Sequence, residues 1–431
     1  MILENSLWHY AEKLIRMMVG IFIFAWMARY LGRTGLGQYS YALAFVALFE
    51  PIMNLGLPLI LKKQLVYREK DSSFLLKVAL KLQFLGALIS IFLILFLLKI
   101  DLFAVDEMSE HLVFLVMFSL FFKIFDVYDV FFQAKLKARF GVFSRLTGLL
   151  LATLWRVFLI VNHYPLEFFI YAYLLEMAVV MGGNFFFYRR YGEIRKIFDA
   201  KLSFWGEAKL MLEESWPLIF SGLTVFLYMR IDQLMLSSMS GSSEVGIYSA
   251  AIKLAEFWHF IPIAISSSVF PIILKAKQTS EEDYLRKLKK LFSFVTYMAL
   301  FICVGTTLFA EIGIVTLYKK DFLESVPILK IYIWSSLFVF WGIVLSVWDT
   351  AEKKQRYSLV RTSSGAVINI MLNYILIPLF GAKGAAYATL LSYFFSTTFI
   401  NLFYPPARKI FMMQFSSLWP RDFFWRKEKQ E

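Results

Sequence analysis

Long apolar runs alternate along this chain with short polar stretches. A helix needs about 20 mostly apolar residues to cross a hydrocarbon core. The pattern predicts twelve such helices, at about 10–31, 39–61, 78–98, 112–132, 142–162, 166–188, 215–238, 247–274, 291–311, 327–348, 358–379 and 384–404. Most tolerate one or two polar residues, and the seventh, eighth and eleventh tolerate the most. Connections such as "NHYPL" (162–166) and "SGSSEVG" (240–246) leave no room for a domain on that side. Segment 188–214, with "RRYGEIRKIFDAKLSFWGEAKL", is longer and amphipathic. It reads either as a surface helix joining two halves or as a basic linker anchored by Trp205.

Composition agrees with the pattern. Of 431 residues, 59% are hydrophobic, 19% aromatic and only 18% charged, too little polar surface for a soluble fold of this size. The single Cys303 excludes a disulfide or cysteine-based metal framework. The four histidines have no helical ligand spacing. The start, "MILENSLWHYAEK", lacks a basic leader and a small-x-small cleavage site, so the first run is expected to be a retained span.

The net charge of +13 would suit nucleic acid in a soluble protein. Here its distribution points to a membrane. Alternate loops starting with 62–77, together with Lys13, hold 32 Lys and Arg, and the opposite set holds six. Basic residues concentrate in cytoplasmic loops. Both termini are therefore expected in the cytoplasm, which requires an even number of spans.

An internal repeat is visible. "GQYSYA" (37–42) and "GIYSAA" (246–251) share Gly, Tyr, Ser and Ala at an offset of 209 residues. Both stand where the first helix of a half returns into its second. The expectation is two pseudo-symmetric six-helix lobes, 1–200 and 201–431, around a central cavity that rocking opens to alternate sides.

Charges inside spans are costly, about 2.5–3.5 kcal/mol near the bilayer centre, and so mark cavities or partners. Glu12 and Arg16 are four apart and share a helical face. Arg29 lies at an interface, where snorkelling is the competing reading. Glu50 sits in span 2; Lys123, Asp126 and Asp129 step by three along span 4; Arg156 is in span 5 and Glu176 in span 6. Lys123–Asp126 is expected to be a neutralised structural pair. Arg230 and Asp232 are two apart and point to opposite sides, and Lys253 and Glu256 share a face of span 8. Arg16, Arg29, Arg156, Arg230 and Lys253 are candidate anion contacts, because guanidinium matches phosphate oxygens two-pronged and stays charged. Glu50, Asp126, Asp129, Asp232 and Glu256 are candidates for cation coupling or for holding the bases. Asn369–Asn373 is expected to bond between helices.

Three stretches carry a family likeness. "ARYLGRTGLGQYSYALAFVALFEPIMNLGLPLILKKQLV" (28–66), "RIDQLMLSSMSGSSEVGIYSAAIKLAEFW" (230–258) and "GAKGAAYATLLSYFF" (381–395) resemble bacterial polysaccharide-lipid flippases of the multidrug/oligosaccharidyl-lipid/polysaccharide exporter superfamily. The resemblance is to O-antigen repeat-unit (Wzx-type) flippases and covers nearly the whole chain. It implies an all-α integral membrane protein of about twelve helices in the inner membrane, and transport rather than enzyme activity. The implied substrate is an undecaprenyl-pyrophosphate-linked oligosaccharide, moved between leaflets in a field of membrane lipids. A polysaccharide polymerase and a chain-length regulator are the implied protein partners, with no nucleic acid. No cofactor is implied beyond a coupled H+ or Na+. Arg16, Arg230 with Asp232, and "KLAE" (253–256) match family positions; Arg156, Glu50 and the span 4 acids rest on the residues alone.

The rival readings are a drug or metabolite exporter or a peptidoglycan-precursor flippase of the same fold, and, from another class, a membrane polymerase or acyltransferase. The short loops count against a polymerase. An acyltransferase would have only the His259–Glu256 pair to work with. No GxxxxGK[ST] loop is present, which disfavours ATP-driven transport by this chain itself.

Overall fold

The computed structural model describes residues 2–100, 106–192 and 203–419, and all regular structure among them is helical, with no strand. The chain forms two compact units, Met1–Gly246 and Ile247–Glu431. The first contains α1 (Ile2–Ala47), α2 (Glu50–Asn54), α3 (Leu57–Tyr67), α4 (Ser72–Lys99), α5 (Glu107–Val116), α6 (Ser119–Lys123), α7 (Asp126–Ala134), α8 (Arg139–Val161), α9 (Glu167–Tyr191), α10 (Phe204–Ser240) and the start of α11 (Ser242–Glu256). The second continues α11 and adds α12 (Phe260–Thr279), α13 (Glu281–Tyr318), α14 (Ser325–Tyr332), α15 (Ser335–Ala351), α16 (Gln355–Phe380), α17 (Ala382–Thr397) and α18 (Arg408–Ser416).

Among the described residues, nine helical stretches are long and apolar enough to cross a membrane. The difference from twelve expected spans has three local causes. Trp8–Tyr67 is one stretch of 60 residues and holds the first two spans. The run at 112–132 is interrupted, forming α5, α6 and α7. The last run is carried by α17, whose 16 residues are short of a full crossing. The middle of the expected 188–214 linker, 193–202, lies outside the described residues.

The breaks follow from local chemistry. Within α1 the backbone leaves helical geometry at Gly32 (φ 69°) and then resumes, a kink that separates the first two spans. Pro51 has no N–H to continue a helix and sits in the first turn of α2. Leu55 and Gly56 then adopt left-handed geometry, and Asn54 Oδ1 accepts a hydrogen bond from Gly56 N at 2.9 Å before α3 begins. The second span is thus discontinuous, as is the fourth. An apolar cluster in the first unit includes Leu57, Leu61, Val78, Leu82, Phe131 and Met211. Large apolar side chains such as Phe92, Phe301 and Leu308 face outward, as helices in lipid require.

The two repeated motifs meet. A Cβ on Gly37 would lie 1.7 Å from the Ser242 carbonyl oxygen, and one on Gly246 would lie 1.9 Å from that of Arg33. The offset of 209 residues carries Gly37 onto Gly246 and Arg33 onto Ser242. The contact is therefore reciprocal, as across a local two-fold axis.

Candidate functional site

Five of the membrane charges singled out by sequence in the first unit are drawn, with Arg145, into one network. Glu12 and Arg16 project from α1, Asp129 from α7, Arg145 and Arg156 from α8, and Glu176 from α9. Arg145 grips Glu12 with both prongs, Nε to Oε1 and Nη2 to Oε2, each at 2.7 Å. Its Nη1 donates to Asp129 Oδ2 at 2.7 Å. Gln133 Nε2 donates to the same Asp129 oxygen at 2.9 Å. Gly141 makes this possible: a Cβ there would fall 1.7 Å from Asp129 Oδ1. Arg16 Nη1 donates to Glu176 Oε1 at 2.8 Å and Arg156 Nη2 to Glu176 Oε2 at 3.0 Å. Arg16 also donates to the Arg145 carbonyl at 3.3 Å, with its Nε 3.6 Å from Glu12.

Glu12, Asp129, Arg156 and Glu176 are all buried. Arg16 is the open member, with 35% of its side chain exposed. A buried charge is tolerated when paired and hydrogen-bonded, and each of these is. Arg145 is the member that sequence reading missed. It falls in the first turn of the expected span 142–162 and in α8, but is not among the candidate charges. Its signal was the spacing to Asp129, 16 residues away across a tight turn, which helical periodicity does not reveal.

A second cluster joins the two discontinuous spans. Lys123, the last residue of α6, forms an ion pair with Glu50, the first of α2. This corrects the Lys123–Asp126 pairing: the ion-pair partner is Glu50, and Asp126 stands exposed at the start of α7. Arg29 is exposed on α1, three residues before the Gly32 kink. On α10, Asp232 is buried and Arg230 half-buried, and Arg230 has no hydrogen bond or ion pair among the described residues.

In the second unit, Lys253 is exposed and Glu256 half-buried on α11. His259 Nε2 lies 3.2 Å from Ser336 Oγ, so its hydrogen-bond partner is that hydroxyl and not Glu256. Asn373 donates to Asn369 Oδ1 at 3.0 Å, and Asn369 reaches Ser392 at 3.3 Å. Arg361, inside the expected span 358–379 but not among the candidate charges, is buried in α16 and donates to Asp349 at 3.1 Å.

Two polar joints lie outside the spans and hold α10 and its following turn to the rest of the first unit. At one end, Asp106 caps α5 by accepting from Ser109 N (2.9 Å), and also takes Ser109 Oγ (2.9 Å), Gln38 Nε2 (2.8 Å) and Ser242 Oγ (2.6 Å). Burial works to raise its pKa, but these hydrogen bonds prevail and hold it below the ordinary 3.8. Beside it opens a cavity of about 430 Å³ lined by Thr34, Gln38 and residues 237–242. At the other end, Arg68 forks onto Glu207 at 2.8 and 3.0 Å and also reaches Asp71. The Glu207 bond, opposed by burial, raises the Arg68 pKa.

Residues 2–277 match the family described as "Polysaccharide biosynthesis protein", and residues 217–375 match MatE. An uncharacterized membrane protein of Methanocaldococcus jannaschii is 25% identical over 230 residues, 51% of this chain and 54% of that protein. "Probable flippase AglR" of Haloferax volcanii is 29% identical over 175 residues, 38% of this chain and 35% of the relative. The chain thus spans about half the length, or less, of these curated relatives. Among solved structures, "Lipid II flippase MurJ, inward closed conformation" aligns with a TM-score of 0.73 at 15% identity, covering 96% of this chain and 91% of that one. An inward-facing multidrug resistance MATE family transporter of the MOP superfamily aligns with a TM-score of 0.76 at 13% identity, covering 93% and 96%. At such identities the likeness shows the fold.

Proposed function

This chain belongs to the polysaccharide biosynthesis protein family, and from that premise we propose that it is a flippase for a lipid-linked oligosaccharide. The substrate class is a polyprenyl pyrophosphate bearing a short glycan; undecaprenyl is the expected lipid. The head group crosses by alternating access while the polyprenyl tail stays in the bilayer. The observation that carries this reading is the Arg16–Glu176–Arg156 triad, in which two guanidinium groups share one carboxylate. Taken alone the triad carries one excess positive charge, with Glu12 held mainly by Arg145 and 3.6 Å from Arg16, and Arg16 presents its guanidinium on an accessible side chain. Arg230, half-buried and without a partner among the described residues, is a second contact for phosphate. Arg29 and Lys253, both exposed, are further candidates.

Moving about two negative charges outward, away from the negative inside of the membrane, is favoured by roughly 2.3 kcal/mol per charge per 100 mV. The potential therefore supplies drive by itself. A proton or Na+ on Asp126, Asp232 or Glu256 is the proposed means of resetting the carrier.

The test is transport in proteoliposomes. A fluorescent polyprenyl-pyrophosphate disaccharide in one leaflet is expected to reach the other, faster under an applied potential. Arg16→Ala is expected to reduce the rate at least ten-fold, with partial recovery in Arg16→Lys. Full transport by Arg16→Ala and Arg230→Ala together would defeat the reading. Extrusion of cationic drugs without flipping would favour the exporter alternative, which the MatE match over 217–375 keeps in view.

A further inference from the structure

Resting on the reading of Arg16 as a phosphate contact, we infer that Arg145 is its positioning residue: by taking both oxygens of Glu12 it holds that carboxylate in a loose 3.6 Å ion pair with Arg16 and keeps it from closing to a direct hydrogen bond. The network divides into two triads. One holds Glu12, Asp129 and Arg145, two carboxylates on one guanidinium, and carries an excess negative charge. The other holds Arg16, Arg156 and Glu176 and carries an excess positive charge. The division depends on one choice of partner. Glu12 is four residues before Arg16 on α1, the spacing at which a Glu–Arg pair forms readily. Yet its two oxygens are taken by the Arg145 fork at 2.7 Å, while Arg16 Nε stands off at 3.6 Å.

The second unit shows what such an arginine does without a third partner. Arg361 is the seventh residue of α16, as Arg145 is of α8, and each bonds an aspartate from the helix before it. The position 209 residues after Glu12 is Ser221, an uncharged side chain. The Arg–Asp pair thus recurs as a tie between successive helices. Capture of Glu12 is an addition in the half that carries the accessible Arg16. A tie alone needs one carboxylate; the second serves Arg16.

Without Arg145, Glu12 is free to close onto Arg16, and the anion contact becomes a neutral pair. Affinity should fall although Arg16 is intact. It should return when Glu12 also loses its charge.

The experiment measures binding of farnesyl pyrophosphate, a short polyprenyl pyrophosphate, to the full-length protein in detergent by calorimetry, with melting recorded for each variant. Arg145→Gln is expected to weaken binding about ten-fold, and Glu12→Gln/Arg145→Gln to recover to within about three-fold of the unmodified protein. Glu12→Gln alone should bind at least as well as the unmodified protein. Melting should stay lowered in the double variant, because Asp129 has lost its charged partner and keeps only Gln133, so recovery of binding separates positioning from mere stability. If Arg145→Gln does not fold, Arg145→Lys, which keeps the charge and loses the fork, is expected to bind about three-fold or more weaker and to be corrected by Glu12→Gln. Unchanged binding in the Arg145 variant, or a loss that Glu12→Gln does not correct, would overturn the inference and leave the flippase reading intact. Equal binding by Arg16→Ala and the unmodified protein would instead defeat the anion contact itself.

Discussion

Gly37 and Gly246 occupy the same place in two copies of one motif, and each packs against the backbone four residues before the other. The approach is backbone on side-chain position in both directions, so no flexible group can move aside to admit a methyl. Gly37→Ala and Gly246→Ala are each expected to destabilise by about 1–3 kcal/mol or more, the range for overpacking. Gly20→Ala, in the same helix as Gly37 but with nothing within 4 Å of its Cβ, should be neutral or stabilise by up to about 1 kcal/mol. Melting in detergent compares the three; equal behaviour would show that the seam opens without cost.

Asp106 gives a pH signature. A carboxyl held below its ordinary value stabilises the fold at pH above that value and ceases to do so as pH falls through the lowered one. The unmodified protein is therefore expected to lose stability below about pH 4, where an ordinary Asp begins to protonate. Asp106→Asn should melt lower at pH 7 and converge with the unmodified protein in acid. Parallel curves throughout would remove Asp106 as the source.

Arg361 and Asp349 form a buried pair at the turn between α15 and α16. Arg361→Met alone strands a carboxylate and is expected to cost about 3–5 kcal/mol. Arg361→Met with Asp349→Leu removes both charges and should recover most of that loss. A double-variant melting cycle measures the coupling, and additive losses would mean the two side chains do not depend on each other.

Arg68 tests the other end of α10. It bonds Glu207 with two nitrogens while its own side chain remains 33% exposed. The energy at stake is correspondingly modest, about 1 kcal/mol or less. Arg68→Lys should accelerate amide exchange in the first turns of α10, around 204–214, and leave α8 and α9 unchanged. Exchange that is unaltered there would show that apolar packing alone seats the helix.

Some of the site was legible before any tertiary structure. Arg16 and Glu12 stood out because charges four apart in an apolar run are conspicuous, and the structure places them on one face. Arg145 and Arg361 did not stand out. Each sits near a helix start in a basic stretch, where arginine ordinarily faces water or lipid headgroups. Their burial depends on carboxylates that reach them from preceding helices. Sequence spacing pairs Lys123 with the nearest acid along the chain, Asp126, because an unbroken helix would bring them together. The break between α6 and α7 sent it to Glu50 instead.

The sequence by itself determined that this chain is helical and membrane-embedded. Both properties come from local quantities: the length of apolar runs and the cost of exposing backbone polar groups to lipid. Only the tertiary structure decided which charge neutralises which. Opposite charges attract through space, with no reference to sequence separation, and the chain offers several near-equal partners for each. Helix breaks at Pro51 and after Lys123, and the room left by Gly141, select among them. That selection leaves Arg16 partly exposed and Glu12 occupied elsewhere.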